Sequence, residues 1–204
     1  MNSQAQHSNY LHLLTQTISK LDTNTLNSIT EAFLDAYNRS AQFFIFGNGG
    51  SAATASHIAG DFVKGASRGL DKRFKFICLN DNASAVMAIS NDLSYEEIFI
   101  EQLKNFMNPG DVVIGISGSG NSINVVKAME YAKNNGAQTI AFCGYKGGKI
   151  KEIADLSLHA DVMDMEIAED IHLVAFHTIK QALINEIHGS LNVSMGETYD
   201  QRIK

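Results

Sequence analysis

The chain has 204 residues, a formal net charge of −6 and 45% hydrophobic residues. These values fit a single α/β-sized core and exclude a broad basic face for nucleic acid. No apolar run approaches membrane-spanning length, the polar start Met1–Asn9 lacks a signal-peptide centre, and the two cysteines, Cys78 and Cys143, sit in apolar runs that suit a reducing compartment, so the expected location is the cytoplasm.

Leu11, Leu14, Ile18 and Leu21 recur at helical spacing, and Leu26, Ile29, Phe33 and Tyr37 repeat it after Asp22-Thr23-Asn24. The spacing predicts two N-terminal helices, or one bent helix, in a segment 1–40 that belongs to the same domain. A core over 41–190 follows, then a polar tail, 191–204. Within the core, Gln42–Phe46 reads as a strand and Ala52–Lys64 as a helix. Phe74–Leu79 is the second strand, and Tyr95–Phe106 a helix preceded by Asn91-Asp92. Asp111–Ile116 is the third strand, with a helix after it that runs through Asn134. Thr139–Cys143 is the fourth, followed by a short helix. Leu156–Ala160 is an edge strand, and Ile167–His188 a long final helix. Buried strands alternating with helices predict an α/β fold: a mostly parallel five-stranded sheet between helical layers, Rossmann-like, with N-terminal helices.

Two small-residue loops stand out. Gly47-Asn48-Gly49-Gly50-Ser51 follows the first strand, and Ser117-Gly118-Ser119-Gly120-Asn121-Ser122 follows the third. Each leads into a helix, so free backbone N–H groups and a helix dipole point the same way, toward an anion. Neither loop has a Walker lysine or the GxGxxG pattern, which points to a phosphorylated small molecule rather than a nucleotide. Asn91-Asp92 reads either as a helix-ending turn or as a site element. A run of Gly and Ser after a strand also serves as a plain tight turn; two loops in matching positions favour phosphate.

The titratable residues fall on two helices. His57 and Asp61 are spaced i, i+4 and share a face. Glu169 and His177 lie eight apart on the last helix and share a side, with His172 as a competing partner. Two histidines and two carboxylates suit a divalent metal such as zinc, and they equally suit acid–base work.

These residues together resemble the phosphoheptose isomerases, which are sugar isomerase (SIS) domain proteins. The resemblance rests on GNGGSAA, His57-Ile58-Ala59-Gly60-Asp61, Ser90-Asn91-Asp92, GISGSGNS, Gly147-Gly148-Lys149 and the stretch Glu169 to His177, in that order. It implies conversion of D-sedoheptulose 7-phosphate to D-glycero-D-manno-heptose 7-phosphate for bacterial surface glycans. It puts Asn48, Gly49, Gly50, Ser51, Asn91, Asp92, Ser117, Gly118, Ser119 and Ser122 around the sugar phosphate. It makes Asp61, Glu169 and His177 catalytic, and His57, Asp61, Glu169 and His177 the zinc site. It also implies a homotetramer with active sites at subunit contacts, binding neither nucleic acid nor membrane.

Three departures from the family pattern are visible. Asp61 stands where Glu is usual, Glu169 where Gln is usual, and Lys64-Gly65 where Gly-Arg is usual. Asp draws its carboxylate back by about 1.5 Å relative to Glu, so either Asp61 or Glu169 is the base that moves a proton through an enediol(ate). The alternative is a non-catalytic SIS protein that binds a sugar phosphate or a protein partner, of the replication-initiator-associating type.

Overall fold

The computed structural model describes residues 3–190; the polar tail expected at 191–204 lies outside them. The chain opens with two separate helices, α1 (Ser3–Ser19) and α2 (Thr23–Arg39). Asp22 makes the break: its carboxylate accepts from the Asn24 and Thr25 amides at 3.0 and 3.3 Å, an N-cap that starts α2 afresh.

Five parallel strands follow: β1 (Gln42–Gly47), β2 (Lys75–Cys78), β3 (Val112–Ser117), β4 (Gln138–Cys143) and β5 (Leu156–His159), in the spatial order β2-β1-β3-β4-β5. Alternation along each strand sends side chains to opposite faces. Phe43 and Ile45 of β1 join Ile114, Phe33, Ile58 and Phe176 in one core, while Phe44 and Phe46 join Val113, Phe99, Val125 and Met129 in the other. The first core is closed by α2, α3 (Gly50–Gly60) and α8 (Met165–Ser190); the second by α5 (Ile100–Phe106), α6 (Ile123–Asn134) and α7 (Gly148–Ile153). This is the expected three-layer arrangement. The chain steps from β1 to β2 on one side and then to β3 on the other. That reversal lies between β1 and β3, and both glycine-serine loops leave the carboxyl ends of these two strands, where ligands bind in open α/β sheets.

Two local differences from the sequence expectation concern the site. The helix expected to run through Lys64 stops at Gly60 and continues as a π-helical turn, Asp61–Ala66. Ser67 closes this turn: its hydroxyl donates to the Phe62 carbonyl at 2.9 Å and accepts from the Phe74 amide at 2.9 Å. Between β2 and β3, the single helix expected at Tyr95–Phe106 is a 3-10 turn, Tyr95–Glu97, followed by α5, and a further helix precedes it, α4 (Ala83–Asp92). Asn82 caps α4 by accepting from Ala85 N at 3.2 Å. This helix has no fully buried residue, so it carries too weak an apolar period to be read from spacing. Asn91 and Asp92 close this helix, and Asn91 Nδ2 donates to Asp92 Oδ1 at 2.8 Å on an exposed surface.

Candidate functional site

Helices α3 and α8 lie side by side and run in the same direction, which follows from two contacts. At the loop end the Glu169 carboxylate lies over Gly50, filling the space where a Cβ would be. Seven to eight residues further along, His57 meets His177, their Nε2 atoms 3.1 Å apart. A Cβ at position 50 would displace the Glu169 carboxylate from this place. Tyr10 of α1 supports α8 at this level by donating to Asp170 Oδ2 at 2.7 Å.

His57, Asp61 and His177 converge at the lower level. Each offers one donor atom, and the three atoms lie within 4.8 Å of one another. Asp61 Oδ2 is 3.8 Å from His57 Nε2 and 3.6 Å from His177 Nε2. Ligands roughly 2.0–2.1 Å from a tetrahedral ion stand about 3.3–3.4 Å apart. The spacing of this group therefore fits three vertices around a dication such as zinc, with the fourth free for water or substrate. His57 is 52% exposed, so the fourth side opens outward. The π-helical turn begins at Asp61, an irregularity frequent where a helix serves a site. Burial lowers the His177 pKa; Lys180 and His57 add to the effect and Asp61 opposes it. The shift favours the neutral ring, the state a metal ligand needs.

Of the four residues expected at the metal, Glu169 is not in this group. Eight residues of helix separate it from His177, about 12 Å along the axis. Its pKa is raised, first by burial and then by the neighbouring Glu166 and Asp170. His172, the competing partner, turns the other way. It is fully buried, with its ring edge-on to Phe142 at 6.0 Å between centroids.

The two loops are built as candidate anion sites. Gly49 and Ser122 occupy the N-cap positions of α3 and α6, and neither makes a side-chain cap, so the first amides of both helices keep no capping partner from these residues. Ser51 and Ser117 are buried. Ser117 and Ser122 share a hydrogen bond of 3.1 Å between hydroxyls, and Ser119 Oγ accepts from Asn121 N at 3.2 Å. Gly120 has φ +69°, and the Gly147 carbonyl fills its Cβ position, so this turn admits glycine alone. Met165 covers Gly118.

Sequence reading missed three participants. Asn124, on α6, exchanges two amide bonds with Asn48, at 2.9 and 3.0 Å, stapling the first loop to the helix after the second. Tyr95 donates to the same Asn48 Oδ1 at 2.9 Å. Lys180, one turn after His177, pairs its ammonium with Asp61 Oδ2. An i, i+3 spacing from His177 was the only sequence signal for Lys180. Nothing in the sequence paired Asn124 with Asn48.

The SIS domain family matches residues 6–144. A probable phosphoheptose isomerase of Thermoplasma volcanium is 38% identical over 172 residues, covering 84% of this chain and 87% of the relative. The phosphoheptose isomerase of Crocosphaera subtropica is 37% identical over 169 residues, covering 76% of this chain and 86% of the relative. The chain belongs to the phosphoheptose isomerases of the SIS domain family. It is by class a phosphosugar isomerase, as its motifs implied. The solved phosphoheptose isomerase of Neisseria gonorrhoeae superposes with a TM-score of 0.81 at 26% identity, covering 90% of this chain and 98% of that one.

Proposed function

We propose that the chain converts D-sedoheptulose 7-phosphate to D-glycero-D-manno-heptose 7-phosphate by proton transfer between neighbouring carbons. The observation that carries this reading is the seam between α3 and α8. A three-donor group, His57, Asp61 and His177, lies two helical turns from a carboxylate, Glu169, that itself sits on the first loop.

The roles divide along that seam. Ser117, Ser119, Ser122 and the uncapped start of α6 hold the phosphate, anchoring the far end of the sugar so that remote binding energy positions the reacting carbons. Asn48, Gly49 and Ser51 bind the sugar chain from the first loop, and Asn91 and Asp92 border it. His57, Asp61 and His177 hold one zinc ion. When bound, the ion would supply a positive charge that orients and polarises a sugar oxygen at that end of the seam. Glu169 removes the proton from the carbon beside the carbonyl and returns it to the neighbouring carbon. Its raised pKa makes it a stronger base than an ordinary carboxylate. Asp61 is already engaged by Lys180 and the two imidazoles, which favours Glu169 as the proton carrier.

The same reading carries a soluble, cytoplasmic homotetramer with sites at subunit contacts. Among the described residues no helix is long and apolar enough to cross a membrane. Leu11 and Ile18 on α1 and Val174 on α8 are exposed apolar residues that a second copy would cover.

The test is turnover of D-sedoheptulose 7-phosphate by chelator-stripped protein, with and without zinc restored. Zinc-dependent formation of the aldoheptose phosphate is the expected result. No product from folded protein under either condition would remove this substrate.

A further inference from the structure

Lys180 enters the donor group from α8 with its side chain only 18% exposed. It reaches across the π-helical turn, where a Cβ on Gly65 would stand 3.8 Å from Nζ. Its ammonium pairs with Asp61 Oδ2. That is the same oxygen that stands 3.6 Å from His177 Nε2 and 3.8 Å from His57 Nε2. One carboxylate oxygen therefore serves two cationic partners: the fixed ammonium, and any ion held between the two imidazoles.

We propose that Lys180 sets the affinity of the His57–Asp61–His177 group for a divalent cation by competing with the ion for Asp61 Oδ2. The inference rests on the metal reading above and concerns how that site is tuned. A dication seated among these donors has a like charge within a few ångströms, in a spot partly shielded from water, where repulsion is stronger than in bulk solvent. The ammonium also occupies a lone pair of the oxygen the ion needs. With no ion bound, Lys180 neutralises Asp61 and holds it beside the imidazoles, so the donor group stays assembled. With an ion bound, the ammonium either leaves Oδ2 or remains close at an electrostatic cost. Both raise the dissociation constant. The consequence is a site that takes up and releases its ion readily, in contrast to a site that retains it through purification.

The opposite role is equally concrete. If Lys180 served only to orient Asp61 for the ion, its removal would weaken binding.

The experiment measures Zn2+ affinity of the full chain by competition with a chromophoric chelator, at fixed pH and salt. Lys180→Met keeps the apolar stem and deletes the charge, and Lys180→Arg keeps the charge. Lys20→Met, in the exposed turn between α1 and α2, controls for net charge. Lys180→Met is expected to tighten Zn2+ binding about tenfold or more. Lys180→Arg and Lys20→Met are expected to stay within about threefold of the native chain. Lys180→Gln is read in the same way if circular dichroism shows Lys180→Met unfolded. Binding that is unchanged or weaker on loss of the charge overturns the proposal and leaves the metal site standing. Zn2+ binding absent from both the native chain and the Lys180 variants, or unaffected by His177→Ala, overturns the metal reading and this proposal with it.

Discussion

His57 Nε2 and His177 Nε2 stand 3.1 Å apart although 120 positions separate them in the chain. Two imidazole nitrogens at that distance either share one proton or share an ion. With Asp61 at 3.6 Å from His177, the ion is the arrangement the donor set suits. His177→Ala and His57→Ala are each expected to abolish stoichiometric zinc binding and to lower turnover at least ~10²-fold. Both side chains are partly exposed, so thermal unfolding should change little. Zinc titration and melting curves on the same samples check this.

Glu169 should give the acid limb of the rate profile. Its carboxyl titrates above the ordinary value because of burial and the adjacent Glu166 and Asp170. A base works only when ionised. The rate should therefore fall as pH drops through that raised pKa, earlier than for an ordinary carboxylate. Glu169→Gln is expected to cost about 10²–10⁴-fold in kcat while leaving zinc binding intact. A near-native kcat in that variant would move the base to Asp61.

Asn124 acts at a distance from the chemistry. It is buried, and its two bonds to Asn48 hold the first loop against α6. Asn124→Ala removes the acceptor of Asn48 Nδ2, while Tyr95 still donates to Asn48 Oδ1, at a cost of about 1–3 kcal/mol. Both a lower melting temperature and a raised KM for the sugar phosphate are expected, the latter because the two loops lose their mutual register. Calorimetry and steady-state kinetics measure the two effects separately.

His172 couples folding to acid. Burial pushes its pKa down from 6.5 to about 4, opposed by the Cys143 backbone. Neither ring nitrogen reaches hydrogen-bond geometry with a described residue. Above pH 6.5 the imidazole is neutral in both folded and unfolded chains and contributes no pH dependence. Between pH 6.5 and about 4 only the unfolded chain takes up the proton, so stability falls as pH falls. The full loss is about 3 kcal/mol. His172→Leu should remove that slope, seen as the difference between the two proteins' urea midpoints across the window.

The sequence by itself determined what lies within single elements. Apolar spacing places the five strands and the final helix, because a central strand buried on both faces, an edge strand such as β2 with alternate residues exposed, and a helix covering one face must each carry its period in its own residues. The small-residue loops are legible because their backbone geometry requires those residues, as Gly120 shows with its positive φ. His57 and Asp61 are legible as a pair because helical spacing alone brings i and i+4 together. What only the tertiary structure decided is everything that depends on one element meeting another. Packing of α3 against α8 puts His177 beside His57, leaves Glu169 two turns away over Gly50, and brings Lys180 onto Asp61. The Asn48–Asn124 amide pair likewise exists only because β1 and β3 are neighbours in the sheet. Contacts between elements depend on helix rotation and sheet order, which the side-chain period of either partner does not encode.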